Sequence, residues 1–168
     1  MKLISAILLA ASLAVSAQAA NPNPDAKQVK ATHDLLAAMQ AEKMMRMTAG
    51  MSRYASEAER NRVMDKVMAT PAETIYSGLA TPVARLLSPE TVTEMTRFYE
   101  SSYGKKSLDS IYNSGAQLYP AAPKATPAEQ AALTKPAYIK ADREFKENEP
   151  AIRHEVFVLL KQIINPKK

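Results

Sequence analysis

The sequence predicts an all-α fold, a single helical bundle of six to eight short helices organised around a central helix-Gly-helix hairpin. Three observations lead there. Apolar residues recur at three- and four-residue spacing in segment after segment, the period of one helix face. No segment alternates apolar and polar residues as a half-buried strand does, and 168 residues with only four glycines hold little material for tight turns. Thr70-Pro71, Ser88-Pro89 and Thr126-Pro127 each have the order of an N-cap followed by a first helical residue.

Residues 1–19 read as an export signal. Lys2 gives a positive start, Leu3 to Val15 an apolar run too short for a membrane span, and Ala17-Gln18-Ala19 a small-x-small cleavage site. Cleavage after Ala19 is expected, with an uncleaved anchor as the alternative. Residues 20–24 form a polar linker and residues 25–168 one domain, with no stable membrane span once the signal is removed. The chain has no cysteine, which excludes disulfides, thiolate metal sites, cysteine catalysis and lipid attachment of the lipoprotein kind.

Asp25 is placed to cap a first helix towards Gln40, with Val29, His33 or Leu36, and Met39 inward. A second helix covers Ala41 to Tyr54, with Met44, Met47 and Met51 on its inner stripe, Met45 on the flank, and Gly50 a weak point worth about 1 kcal/mol relative to alanine. A third spans Glu57 to Met68, where Val63, Met64, Val67 and Met68 form the apolar side. Thr70-Pro71-Ala72-Glu73 has the composition of a capping box. It opens a helix towards Leu87, which Pro82 should break or kink near Ala80. Ile75, Leu79, Val83, Leu86 and Leu87 face inward.

Ser88 and Pro89 open the hairpin. Val92, Met95, Tyr99 and Tyr103 form its first stripe with Phe98 beside it, and Gly104 is expected to end that helix in a left-handed conformation. Leu108, Ile111, Tyr112, Gly115 and Leu118 make the second stripe. After the linker Pro120-Ala121-Ala122-Pro123, Thr126-Pro127-Ala128-Glu129 repeats the cap composition. Pro136 starts a helix carrying Tyr138 and Phe145, and Pro150 is expected to restart it. Ile152, Val156, Leu159, Leu160 and Ile163 form the last stripe, closed by Asn165-Pro166.

Phe98-Tyr99-x-Ser101-x-x-Gly104-x-Lys106, preceded by Ser88 and a short helix, resembles the FYxSPxGxK core of an uncharacterised family of exported bacterial helical proteins, a domain of unknown function. The likeness covers roughly the middle third of the chain. It implies export and a helical fold, and the family has no general established activity to carry over. Ser102 stands where the family has proline, which should lengthen the first helix towards Tyr103. Thr91 stands where an acid completes the helix cap, which should weaken the capping box.

The net charge of +5 is spread over helix faces where acids and bases intersperse. The Lys105-Lys106 and Lys167-Lys168 pairs are too short for a nucleic-acid patch, and no nucleic-acid partner is expected. His154-Glu155 lacks the second histidine of a zinc helix, because Val158 stands in its place. No nucleophile elbow accompanies the serines. Glu90, Glu94 and Glu100 could be paired for glycoside chemistry, as the acids of any soluble helix could. Tyr103-Gly104-Lys105-Lys106 has the groups to hold an anion, but a plain helix joint accounts for it. Met39, Met44, Met45, Met47 and Met51 gather five thioethers in a short stretch. Core packing is the preferred reading, ahead of an adaptable binding groove and of Cu(I) ligation.

No catalytic residue, cofactor or metal is therefore assigned, and Phe98, Tyr99, Ser101, Gly104 and Lys106 are expected to be structural. The expected function is an exported helical interaction or structural protein of the bacterial envelope, periplasmic or secreted, partnered by a protein or envelope component. A small periplasmic hydrolase without a recognisable motif is the alternative.

Overall fold

The computed structural model describes residues 23–113 and 122–166. The expected export signal of residues 1–19, residues 20–22 of the linker, Gly115 and Leu118 of the second hairpin stripe, and Lys167-Lys168 lie outside the described residues.

Among the described residues there are eight α-helices and no strand: α1 Ala26–Ala38, α2 Ala41–Met51, α3 Glu57–Ala69, α4 Ala72–Ala84, α5 Pro89–Glu100, α6 Ser102–Asn113, α7 Pro127–Leu133 and α8 Pro136–Ile164. The expected all-α bundle is what the chain adopts. At 29 residues α8 extends about 44 Å, and α2, α3, α4, α5 and α7 all pack on it. α1 lies across α4 and α5. Leu35, Leu36, Met45, Ile75, Leu79, Leu87, Val92, Met95, Ile152, Val156 and Leu160 fill the single core between them. Among the described residues no helix is long and apolar enough to cross a membrane.

Buried polar groups tie the elements together. Gln28, inward on α1, donates from Nε2 to the carbonyls of Ala84 and Leu87 at 2.9 and 3.0 Å, and so satisfies acceptors that the end of α4 leaves without an intrahelical partner. Asp25 caps α1 through the Gln28 amide, 2.7 Å away. Thr126 and Glu129 form a full capping box on α7.

Several expectations are corrected. Neither inner proline breaks its helix: α4 runs through Pro82 and α8 through Pro150. Pro82 falls in the last turn of α4, with Leu79, Ala80, Val83 and Ala84 all buried around it; Pro150 lies between buried Phe145 and buried Ile152. Each proline removes one amide donor, and packing on both sides outweighs that loss. The box predicted at Thr70 does not form, because Thr70 terminates α3 and its hydroxyl donates back to the Lys66 carbonyl at 2.8 Å. Pro71 becomes the N-cap of α4, without a side-chain bond. Met68 is exposed, not part of the apolar side of α3.

The largest correction concerns α2. Its buried stripe is Ala41, Met45 and Ala49; of Met44, Met47 and Met51 only Met44 packs against the core, and it is half-buried. Met45 is fully buried, whereas Met47 is 40% and Met51 74% exposed. Both stripes have helical spacing. The small side chains of Ala41 and Ala49 let α2 approach the core closely and leave Met47 and Met51 turned outward.

Candidate functional site

The motif residues build a tight corner between α5 and α6. Ser101 closes α5 with its amide on the Phe98 carbonyl at 3.0 Å, and its hydroxyl donates to the same oxygen at 2.6 Å. That Ser101 oxygen also accepts the Gly104 amide at 3.0 Å, and the Ser101 carbonyl accepts the Lys105 amide. One serine thus ends one helix and caps the next. Ser102 is the first residue of α6 and does not lengthen α5; its hydroxyl donates to Glu129 at 2.5 Å.

Gly104 is therefore not the left-handed end of α5. It lies inside the first turn of α6, buried against the last turn of α5. A Cβ there would meet the Phe98 carbonyl oxygen at 2.0 Å and the Tyr99 Cα at 2.8 Å. The requirement for glycine is real, but its cause is close backbone approach. Lys106 is exposed, with its ammonium 3.9 Å from Glu129. The Ser102 hydroxyl, then the Thr126 amide, then the Thr126 hydroxyl and Lys106 hold the Glu129 carboxyl down to about 2.

The corner fixes an aromatic cluster. Phe98 meets Tyr99, Tyr103 and Tyr138 at ring-centre distances of 5.0, 6.2 and 5.3 Å, and Tyr99 meets Phe145 at 6.1 Å. These five rings line an open cleft of about 390 Å³. Tyr99, Ile111 and Phe145 also form a wall of a second groove of about 120 Å³, whose opposite side is Met39, Met44, Met47 and Met51. The two concavities share those residues, and both are lined in part by α6.

α6 is only lightly seated. Gly104 and Leu108 are its buried residues, and α5 is its main support. The Tyr112 hydroxyl donates to the Met39 carbonyl at 2.9 Å, pinning the end of α6 to the α1–α2 joint. The Lys43 ammonium stands 5.6 Å from the centre of the Tyr112 ring. Arg153 pairs with Glu149 at the rim, Nη2 to Oε1 at 2.6 Å. Burial pushes the Tyr99 and Tyr112 phenols up from their ordinary value, so both stay neutral. Met47, Met51 and Ile111 are three of the six exposed large hydrophobic residues among the described residues, and all three line this groove. Such a concentration marks an interaction surface more readily than scattered single residues do.

The hydrolytic candidates do not assemble. His33 Nε2 lies 2.8 Å from Glu73 Oε1 and Nδ1 lies 3.5 Å from Asp34, so both ring nitrogens face carboxylates. Ser77 donates to Glu73 at 3.2 Å, not to the imidazole. The residue types of a triad are together, but no imidazole stands between serine and acid to take the proton. His154 is exposed on α8. Among the described residues no group of three or more histidines and acids could hold a metal ion. Glu90 and Glu94 line one shallow depression with Lys140, and Glu94 is also paired with Arg97.

The groove residues outside α2 and the motif were not singled out as a site by sequence. Tyr112 comes from α6 and the Glu149-Arg153 pair from α8; Tyr112 belongs to the second hairpin stripe, whereas Glu149 and Arg153 carry no sequence signal beyond that of charges on a solvated helix face. Comparison with known proteins adds no relative: no family model, curated protein or solved structure matches the chain.

Proposed function

We propose that this chain is an exported, non-enzymatic interaction protein of the bacterial envelope, which takes an apolar part of a partner into the groove between α2, α6 and α8. The observation that carries this reading is the outward turn of Met47 and Met51, facing Ile111 across an apolar groove. Flexible thioethers make a surface that adapts to an apolar partner, and the neutral Tyr99 and Tyr112 add rigid area. Export rests on the signal-like composition of residues 1–19. The resemblance of Phe98 to Lys106 to the exported family is consistent with it: a corner of Ser101 and Gly104 explains why such a motif would fix those residue types. Ser102 occupies the first helical position, which also suits the family's proline.

A photo-crosslinking residue at Met51 tests the reading in a bacterium exporting the full chain. The expected result is one discrete adduct with an envelope component, not formed from a control position at exposed Arg60 on α3. Equal labelling from both positions, or no adduct from Met51, contradicts it.

A further inference from the structure

We propose that the same groove binds the soft monovalent ion Cu(I), with Met44, Met47 and Met51 as thioether ligands and Met39 at the groove floor. Met44, Met47 and Met51 lie at i, i+3 and i+7 on α2, within a narrow arc of one helix face. The first and last are separated by about 10.5 Å along the axis, and methionine has three rotatable bonds with which to close such a span. Packing does not hold Met47 and Met51 in place, since Met45 carries the buried contact of α2 and these two face solvent, while half-buried Met44 packs against the core and also lines the groove. Met39 reaches the same groove from the end of α1.

The remaining donors select the ion. The groove contains no histidine, and the chain has no cysteine. Its carboxylate, Glu149, is engaged by Arg153 at 2.6 Å. The Tyr99 and Tyr112 phenols stay neutral and offer no phenolate. Thioethers alone favour Cu(I) and its analogue Ag(I) over Zn(II), which prefers imidazole and thiolate, and over Mg(II) or Ca(II), which prefer carboxylate, carbonyl and water oxygens. Leu108, Ile111 and Phe145 limit water on the other side. This site does not depend on the partner reading, because it requires only the purified chain.

The test is NMR of the full chain carrying methionine labelled at its ε-methyl carbon, titrated with Ag(I) and then with Cu(I) under argon with ascorbate. The expected result is saturable movement of the Met44, Met47 and Met51 methyl signals at one equivalent of ion, with Met45, Met64 and Met95 unmoved. Competition with a coloured Cu(I) chelator should show at least tenfold weaker binding in Met47→Leu/Met51→Leu, whose thermal melt should match the parent chain because leucine preserves volume. Three results overturn the site: no methyl movement, movement no greater than that of the isolated exposed Met68, or Zn(II) producing the same shifts as Cu(I). An absent crosslink at Met51 in cells would remove the partner reading and leave this result untouched.

Discussion

Glu144 of α8 accepts the Ser88 amide at 2.6 Å, and its second carboxylate oxygen accepts the Ser88 and Thr91 hydroxyls at 2.8 and 2.7 Å. The acid that Thr91 fails to provide inside α5 is supplied from another helix. The expected weakening of that cap is thereby offset, and α5 is joined to the longest helix of the bundle. Glu144→Ala should cost roughly 2 kcal/mol, since it strands a part-buried amide and two hydroxyls. Thr91→Glu should destabilise the parent chain by placing a second carboxylate beside Glu144. In the Glu144→Ala background the same change should restore stability by completing a local box. Denaturant midpoints of the three variants check this reversal of sign.

Gly104 separates two explanations of a glycine at a helix joint. Were the backbone left-handed, asparagine would be tolerated better than alanine. With the Phe98 carbonyl 2.0 Å from a would-be Cβ, both should cost at least about 2 kcal/mol, and asparagine should be no milder. Tyr99→Ala should cost about 2 to 4 kcal/mol through lost burial. Lys106→Ala should change stability by less than about 0.5 kcal/mol, because its pair with Glu129 is long and its ammonium exposed. Chemical denaturation of the four variants ranks them.

The acid limb of stability should reach Glu129. Its folded carboxyl lies at about 2 against an ordinary 4.5, so its contribution to the α7 cap is complete above 4.5 and is lost as pH falls towards 2. Carboxyl-carbon NMR of Glu129 should give a midpoint near 2 in the folded chain, with Ser102→Ala moving it upward. A midpoint near 4.5 would show that the Ser102 and Thr126 bonds do not persist in solution.

Four of the seven tyrosines should resist ionisation. Burial pushes Tyr76, Tyr99 and Tyr112 upward, and Tyr138 up to about 12. A phenol raised in the folded state stabilises the fold below its unfolded value of 10 and loses that contribution as pH rises through the folded value. Phenolate absorbance should therefore leave four tyrosines un-ionised at pH 10.5 until the chain unfolds. One transition at pH 10 accounting for all seven would contradict the burial.

The bundle was legible because its signals were local. Asp25, Ser88-Pro89 and the Thr126–Glu129 box start helices where residue type predicts, and Ile152, Val156 and Leu160 bury the stripe their spacing marks. What failed depended on neighbours. Thr70 has the same three followers in kind as Thr126, yet the end of α3 claims its hydroxyl. Pro82 and Pro150 read as breaks until packing on both sides is known. Period alone could not choose between Ala41-Met45-Ala49 and Met44-Met47-Met51, and side-chain size pointed to the wrong stripe. The groove was hidden for the same reason, since its walls come from α2, α5, α6 and α8 and exist only once α2 has turned its methionines outward.

That outward turn is the claim on which both the partner groove and the metal site rest, and methionine oxidation measures it most directly. Brief exposure of the folded chain to hydrogen peroxide, read by peptide mass spectrometry, should convert Met47 and Met51 to sulfoxide as fast as exposed Met68. Met39, Met45 and Met95 should remain reduced until denaturant is added. Rapid oxidation of Met45 with protection of Met47 and Met51 would mean that α2 presents the opposite face, and would contradict the account.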